Sequence, residues 1–276
     1  MKVAVLSGKG GTGKTFISVN LAACAPKATY LDCDVEEPNG HLFFKPENIS
    51  TEDVKVLLPS ADQDKCNGCR KCIEFCRFNA LAYIKDRLKV FSEVCHSCGG
   101  CKIICPTGAI KEIDKTIGHI EIGKHNNVKV CTGILNVGEI SGVPIIKELL
   151  SKSKSDKLVI IDCPPGSGCS VMESIQLADY CVLVAEPTIF GVHNFKMVYE
   201  LTKILNKPFG VVINKSNGTK NHMEVLCAEQ NIPVLCQIPY SDKLARINAN
   251  GEIACNDERF KDIFDELLHK VQMEVS

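Results

Sequence analysis

The sequence contains no tryptophan, and only 6% of its 276 residues are aromatic. It also lacks an excess of charge, because 32 Lys and Arg residues face 33 Asp and Glu residues and the net charge is −1. Without a basic surplus there is no electrostatic basis for general nucleic-acid binding, and we expect no nucleic-acid partner. No apolar run approaches the roughly 20 residues of a membrane span, and Met1–Leu6 is too short for a signal peptide. We therefore expect a cytoplasmic protein without a membrane span.

Cysteine, in contrast, is abundant, with 17 residues. An odd number would leave one thiol over in a complete disulfide framework. The apolar content of 45% is sufficient for a large core, so disulfides are not needed for stability. In the reducing cytosol, clustered cysteines more often bind metal or carry out redox chemistry.

Eight of the cysteines lie in one short window and repeat one spacing. The spacing C-x2-C-x2-C-x3-C occurs at Cys66, Cys69, Cys72 and Cys76, and again at Cys95, Cys98, Cys101 and Cys105. It is the spacing of bacterial two-cluster ferredoxins, in which the fourth cysteine of each run ligates the other 4Fe–4S cluster. Tetrathiolate zinc, the alternative, usually uses two separated C-x2-C pairs and fits the pattern poorly. The predicted ligand sets are Cys66, Cys69, Cys72 and Cys105 for one cluster, and Cys95, Cys98, Cys101 and Cys76 for the other.

Outside this window, short apolar runs alternate with helical patterns. Because the runs are continuous, they predict strands of a parallel sheet that is covered on both faces, and hence an α/β fold with a mostly parallel, doubly wound sheet. An antiparallel pair is predicted at Ile117–Ile122 and Val128–Cys131. The predicted strands are Val3–Leu6, Ala28–Leu31, Leu158–Ile161, Cys181–Ala185, Phe209–Ile213 and Val234–Ile238, and the predicted helices span 14–24, 141–154, 170–177, 192–206, 221–230 and 257–272.

The cysteine window interrupts the α/β series, as an inserted domain does. Residues 61–112 are predicted to form a small α+β domain that resembles bacterial ferredoxins. Residues 1–60 and 113–276 are then the N-terminal and C-terminal parts of the main domain.

The first predicted strand leads into the loop Gly8–Thr15 and then into the first predicted helix. The loop satisfies G-x-x-x-x-G-K-S/T in the strand–loop–helix context of a P-loop NTPase. Its backbone N–H groups and the helix N-terminus are expected to bind the phosphates of ATP or ADP. Lys14 is expected to reach the β- and γ-phosphates, while Thr15, and Asp162 through water, hold Mg²⁺. The nucleotide-binding residues predicted in the loop are Gly8, Gly10, Gly11, Thr12, Gly13, Lys14 and Thr15.

Lys9 is a second lysine, early in the loop GKGGTGKT. This loop resembles that of the deviant Walker A ATPases, the class that includes MinD, ParA and the nitrogenase iron protein. The resemblance implies an ATP-sandwich dimer, either a homodimer or a heterodimer with a related ATPase, in which Lys9 contacts the γ-phosphate bound to the partner. It also implies that Asp34 directs the attacking water, that Asn214 reads adenine, and that the backbone at Pro239 covers the base. Lys9, Lys14 and Asp34 are thus the predicted catalytic residues.

The two halves together resemble a recognised subgroup, the MinD-superfamily ATPases with an inserted ferredoxin domain, over essentially the whole chain. The resemblance implies slow ATP hydrolysis coupled to two 4Fe–4S clusters, and a redox or metallocofactor client protein. We expect a function in the assembly or insertion of metal–sulfur cofactors. The alternatives are ATP-gated electron donation to a partner enzyme and MinD- or ParA-like positioning of cellular structures.

Three features bear on these alternatives. Cys169 lies seven residues after Asp162, the offset at which the nitrogenase iron protein places a ligand of its dimer-bridging cluster, but Glu139 takes the place of the other ligand. Cys169 is therefore either a ligand of a third, shared cluster or a plain loop thiol. The C-terminal C-x-x-C pair of cytosolic cluster-carrier ATPases is missing, which argues against that class. The apolar face around Phe264 and Leu268 is predicted to pack on the sheet rather than bind a membrane, because its charges are balanced.

Overall fold

A nine-stranded sheet forms the centre of the protein, for which a computed structural model describes residues 1–218 and 221–275. The strands, two of which form a separate hairpin, are β1 (Lys2–Leu6), β2 (Ala28–Asp32), β3 (Glu47–Ala61), β4 (Leu81–Ile84), β5 (Arg87–Val90), β6 (Ile110–His125), β7 (Val128–Leu135), β8 (Val159–Asp162), β9 (Tyr180–Ala185), β10 (Phe209–Ser216) and β11 (Val234–Pro239). The helices are α1 (Lys14–Cys24), α2 (Gly40–Phe44), α3 (Lys71–Phe75), α4 (Gly100–Ile104), α5 (Val143–Ser151), α6 (Cys169–Ile175), α7 (Ile189–Ile204), α8 (His222–Glu229), α9 (Asp242–Ala249) and α10 (Glu258–Val275).

The strand order across the sheet is β11-β10-β9-β1-β8-β2-β7-β6-β3. The seven strands from β11 to β7 are parallel, whereas β6 is antiparallel to both of its neighbours. Helices α1, α9 and α10 contribute to the buried cluster on one face, and α5, α6, α7 and α8 to the cluster on the other. Because both faces are covered, the central strands are continuously apolar. The prediction of a mostly parallel, doubly wound α/β sheet is confirmed.

Two strands differ from the sequence expectation. The predicted antiparallel pair is the observed pair β6–β7, but β7 also lies parallel to β2 and so belongs to the main sheet. The sequence pattern does not predict β3, a strand of 15 residues that pairs with β6 at the edge of the sheet. The first seven residues of β3 are exposed, so the apolar periodicity that marks a strand is missing there.

The residues between β3 and β6 form a small unit that carries the eight clustered cysteines. Helices α3 and α4 each follow a residue with left-handed backbone, Arg70 (φ 61°) and Gly99 (φ 72°), and the hairpin β4–β5 lies between these helices. The hairpin turn at Lys85 and Asp86 has positive φ at both positions, as a two-residue type I′ turn requires. The unit has a core of its own, formed by Cys72, Leu81, Leu88, Cys101 and Ile110.

The C-terminal helix α10 packs on the sheet, as the sequence predicts. Its residues Phe264, Leu267, Leu268 and Val271 are buried. The ring of Phe264 lies edge-on to that of Phe16 in α1, with 5.7 Å between the ring centroids. Within the described ranges, no helix is long and apolar enough to cross a membrane.

Phe264→Ala is expected to lower the free energy of unfolding by about 3–5 kcal/mol, the usual effect of removing a buried phenyl ring. Urea unfolding under reducing conditions measures this loss. The control is Met273→Ala on the same helix, since Met273 is 66% exposed and its loss should change stability by no more than about 0.5 kcal/mol. Equal effects of the two substitutions would contradict the packing of α10.

Candidate functional site

The loop between β1 and α1 is held by close contacts that only glycine permits. Gly13, the residue before α1, has a φ of 95°. A Cβ atom on Gly13 would lie 2.2 Å from Nδ2 of Asn214, and one on Gly8 would lie 1.9 Å from the backbone oxygen of Asn194. Residues Gly8 and Gly13 therefore set the shape of the loop against α7 and β10.

Lys14 is the best-buried cation of this loop, with a side chain that is 7% exposed. Its Nζ atom lies 2.7 Å from Oδ1 of Asp162 and 3.7 Å from Oδ2 of Asp34. The second carboxylate oxygen of Asp162 accepts a hydrogen bond from the Tyr30 hydroxyl at 2.8 Å. Burial alone would lower the pKa of Lys14, but the carboxylates of Asp162, Asp34 and Asp32 outweigh it and raise the pKa above its usual value. Lys14 is therefore charged and can transfer to another anion.

Asp32 and Asp34, at the end of β2, have different surroundings. Asp32 is fully buried and accepts hydrogen bonds from the backbone N–H groups of Asn39 (3.1 Å) and Gly40 (2.8 Å), so it fixes the chain that leads into α2. Asp34 lines an open cavity beside the loop. Burial raises the pKa of Asp34 to about 6, although Lys14 opposes the shift. Asp34 is thus the aspartate that a ligand in the cavity can reach.

Two cavities adjoin at this loop. The larger, of about 640 Å³, is lined by Lys9, Gly10, Gly11, Gly13, Lys14, Thr15, Asp34 and Pro165 among others. The smaller, of about 190 Å³, is lined by Asn214, Pro239 and Tyr240, and it shares Gly11, Gly13 and Phe16 with the larger. Most residues predicted for the phosphates therefore line one cavity, and both residues predicted for the base line its neighbour. Gly8 and Thr12 line neither cavity, since Gly8 packs against α7 and Thr12 is buried.

Asn214 connects the base side of the site to the loop. Its side chain is almost fully buried, and Nδ2 donates a hydrogen bond to the Thr12 carbonyl at 2.8 Å. Oδ1 accepts from the backbone N–H of Lys215 at 3.0 Å. Nδ2 therefore braces the loop, whereas Oδ1 is bound within β10, and the reading of adenine by Asn214 stays a prediction.

Lys9 takes part in a charge cluster that the sequence did not reveal. Its Nζ atom lies 2.9 Å from Oε2 of Glu186, and Nζ of Lys215 lies 2.7 Å from Oε1 of the same carboxylate. Lys215 also donates a hydrogen bond to the Gly11 carbonyl at 2.9 Å. Burial by itself would raise the pKa of Glu186, but the hydrogen bonds from Lys215 and Lys9 outweigh it and lower the pKa below its usual value. Glu186 is thus a carboxylate shared by two lysines.

Sequence reasoning also missed Tyr30 and Asp32. Asp32 and Asp34 are separated by Cys33 in the sequence, and the sequence analysis predicts a role only for Asp34. Register places Asp32 opposite Asp162 on adjacent parallel strands, and such a pairing is not visible in the order of residues. Glu186 directly follows the apolar strand β9, which is visible in the sequence, but its pairing with Lys9 and Lys215 is not.

The eight clustered cysteines line two separate cavities. One, of about 20 Å³, is lined by Cys66, Cys69, Cys72 and Cys105 together with Arg70 and Tyr83. The other, of about 330 Å³, is lined by Cys76, Cys95, Cys98 and Cys101 together with Phe75 and Phe78. Within the described part of the chain, no three His, Cys, Asp or Glu side chains are grouped so as to hold a single metal ion. Four cysteines therefore line each cavity.

Cys169 is exposed at the first residue of α6. Glu139, which takes the place of the second ligand in the sequence comparison above, lies 2.9 Å from Nζ of Lys115. Its carboxylate thus has a cation partner, and a third cluster at Cys169 stays a prediction.

The family model described as the CobQ/CobB/MinD/ParA nucleotide binding domain matches residues 3–254. An uncharacterised protein of Methanocaldococcus jannaschii is 31% identical over 274 residues, or 97% of this chain and 96% of that relative. An iron-sulfur cluster carrier protein of the same organism is 25% identical over 298 residues, with 98% of this chain and 85% of the relative covered.

Among solved structures, the cell division ATPase MinD of Pyrococcus furiosus matches with a TM-score of 0.61 at 16% identity. The match covers 99% of this chain and 98% of that one. At this identity the comparison supports a common fold, the α/β P-loop NTPase fold with a large, mostly parallel sheet.

Lys14→Ala is expected to weaken ATP binding about 10- to 150-fold, because it deletes a charge-assisted bond of about 1.5–3 kcal/mol. Isothermal titration calorimetry measures the affinity, and thermal melting checks that the variant folds. The matched control is Lys207→Ala, since Lys207 binds the backbone carbonyls of Gln176 and Ala178 at the far end of β9. Unchanged affinity in a folded Lys14→Ala protein would refute the assignment.

Proposed function

Since the chain belongs to the CobQ/CobB/MinD/ParA nucleotide-binding domain family and is an ATPase of that kind, we propose that it is an ATP-switched dimer that couples its nucleotide state to two 4Fe–4S clusters. The expected role is the assembly or insertion of metal–sulfur cofactors. The proposal combines two sites of one chain, the P-loop site and the cysteine-lined cavities.

The observation that carries the proposal is the way the two cavities divide the cysteines. Each cavity takes three cysteines from one run and the fourth from the other, as the crossed ligand sets require. The donors fit the clusters by chemistry as well, because all eight are free thiols and each group of four lines one cavity. We propose residues 61–112 as an inserted ferredoxin-like domain. Its clusters would supply one-electron redox capacity.

For the ATPase site we propose that Lys14 leaves Asp162 and binds the β- and γ-phosphates, while Asp34 orients the attacking water. Lys9 would contact the γ-phosphate bound to the partner. Thr15 lines the cavity and Asp162 lies directly behind Lys14, so these residues fit the roles of holding Mg²⁺ directly and through water. Mg²⁺ would offset the charge that develops on the phosphates.

The adjoining smaller cavity is proposed as the adenine site. Asn214 and Pro239 line it from two different strands, β10 and β11. Phe16 of α1 and Tyr240 also line it, so apolar and aromatic surface is available to stack against a base.

A chain of backbone hydrogen bonds supports coupling between the two sites. The residue after Asp34, Val35, accepts a hydrogen bond from the N–H group of Leu135 at 2.8 Å. Asn136, which follows Leu135 in the chain, donates a backbone hydrogen bond to the carbonyl of Ile117 in β6 at 2.9 Å. Strand β6 pairs with β3, and these two strands carry the cysteine unit at their ends. Movement of Asp34 is therefore expected to reach the clusters through β7 and β6.

The iron-sulfur cluster carrier relative supports a client that receives metal and sulfide. Another observation favours electron donation as the second candidate function. Cys69 and Cys98, the second cysteines of the two runs, are exposed. A redox partner can therefore approach both proposed clusters closely. The assembly and electron-donation functions require different experiments.

Double substitutions test the crossed ligand sets. Anaerobically reconstituted wild-type protein is expected to hold about eight irons per chain. Cys72→Ala combined with Cys105→Ala removes two ligands of one cluster, so about four irons should remain. Cys72→Ala combined with Cys76→Ala removes a ligand of each cluster, so few irons should remain.

Iron and sulfide analysis gives these counts, and Cys227→Ala is the control because Cys227 is buried in α8, within the core of the main sheet. The reverse result for the two double variants would mean that each run of cysteines binds its own cluster. Wild-type iron in every variant, or zinc in place of iron, would contradict the cluster proposal.

Nucleotide dependence separates the candidate functions. We expect Mg²⁺-ATP to increase the transfer of iron and sulfide from the loaded protein to an apo-ferredoxin, and Lys14→Ala to abolish the increase. A coupling free energy of about 1–3 kcal/mol would instead appear as a shift of roughly 40–130 mV in cluster potential. A potential shift without transfer would favour electron donation. If neither quantity responds to nucleotide, the coupling is refuted.

A further inference from the structure

Glu186 is a carboxylate beside the P-loop that the proposed hydrolysis does not use. Three lysines, Lys9, Lys14 and Lys215, lie at the P-loop, and Asp162 with Asp34 compensates only Lys14. Glu186 compensates the other two, with 2.9 Å to Lys9 and 2.7 Å to Lys215. In the proposed dimer Lys9 leaves Glu186 to contact the γ-phosphate bound to the partner.

Glu186 is held firmly in place. It directly follows β9, which lies beside β1 and hence beside the start of the P-loop. The N–H group of Gly191 binds Oγ1 of Thr188 at 2.9 Å, and a Cβ atom on Gly191 would lie 2.2 Å from the Glu186 carbonyl oxygen. This tight turn fixes the backbone, and the Glu186 side chain is only 13% exposed.

Lys9 is the more exposed partner of this pair. Its side chain is 38% exposed, about three times as exposed as that of Glu186. If Lys9 moves away, the ion pair between Glu186 and Lys215 is unaffected, because it uses the other carboxylate oxygen. Release of Lys9 therefore leaves no unpaired carboxylate behind, and the pair can open at small cost.

We propose that Glu186 is a positioning residue that holds Lys9 within its own subunit and competes for it with the γ-phosphate bound to the partner. The inference rests on the proposed contact of Lys9 across an ATP-sandwich dimer. Two such pairs open when a homodimer closes. Glu186 thereby opposes dimer closure until a triphosphate is available on the other side.

Glu186→Gln tests this proposal, because it removes the charge and keeps the size of the side chain. Sedimentation velocity with Mg²⁺ and a non-hydrolysable ATP analogue should show dimers of the full chain at about 3- to 30-fold lower protein concentration than wild type, as two partly exposed ion pairs are released per dimer. In a Lys9→Ala background the same substitution should have no such effect. Glu186→Asp, which keeps the charge, should behave more like wild type.

Asp156→Asn is the control. The pair Lys129–Asp156 is a partly exposed ion pair of 3.7 Å, and it lies at the amino ends of β7 and β8, the opposite end of the sheet from the P-loop. This control should leave dimerisation at the wild-type concentration, and calorimetric ATP affinity should confirm that all variants bind nucleotide.

Unchanged or weaker dimerisation of Glu186→Gln, or a gain that persists in the Lys9→Ala background, would overturn the role of Glu186 alone. Failure of wild type itself to dimerise with the analogue would instead refute the proposed dimer, and the role of Glu186 with it. Stronger dimerisation of Glu186→Gln that is lost in the Lys9→Ala background supports both the proposed dimer and the role of Glu186.

Discussion

The ion pair between Lys14 and Asp162 is the contact on which the site depends. It joins the first residue of α1 to the last residue of β8, and Tyr30 of β2 binds the second oxygen of the same carboxylate. Three elements thus meet at one fully buried carboxylate, which would be costly to bury without a cation. The parallel register that places Asp32 beside Asp162 adds a second buried carboxylate. Any anion that attracts Lys14 therefore acts on β2, β8 and the chain that leads to Asp34 together.

Much of the fold and of the candidate site could be predicted from the sequence, because the patterns that indicate them are contiguous in the chain. The six apolar runs predicted as parallel strands are short and continuous, and their limits agree with the structure to within about three residues, whereas the predicted antiparallel pair covers only part of β6 and β7. Lys14 and Asp162 were found because a glycine-rich loop and an apolar strand ending in aspartate are contiguous patterns. The repeated cysteine spacing is also contiguous, and the structure places the same two groups of four around two cavities.

The features that the sequence does not predict depend on pairing between segments that are far apart in the chain. Strand β3 shows no periodicity because most of it is exposed and only its pairing with β6 defines it. The register of β2 against β8 is what brings Tyr30 and Asp32 next to Asp162. Glu186 pairs with Lys215 and with Lys9, and Lys9 lies 177 positions earlier in the chain. The sequence predicts a base contact for Asn214, whereas in the structure its Nδ2 atom donates a hydrogen bond to the Thr12 carbonyl of the P-loop.

Strand β3 ends the sheet on one side, and among the described residues no further strand covers its outer edge. An edge of 15 residues presents N–H and C=O groups that can template the addition of a foreign strand. Charged residues along it, Glu47, Glu52, Asp53 and Lys55, oppose such stacking. A slip of one residue would also turn Val54 from the core to solvent. Since β3 leads into the cysteine unit, we expect charge-neutralising substitutions on this edge to lower solubility without touching either cysteine-lined cavity.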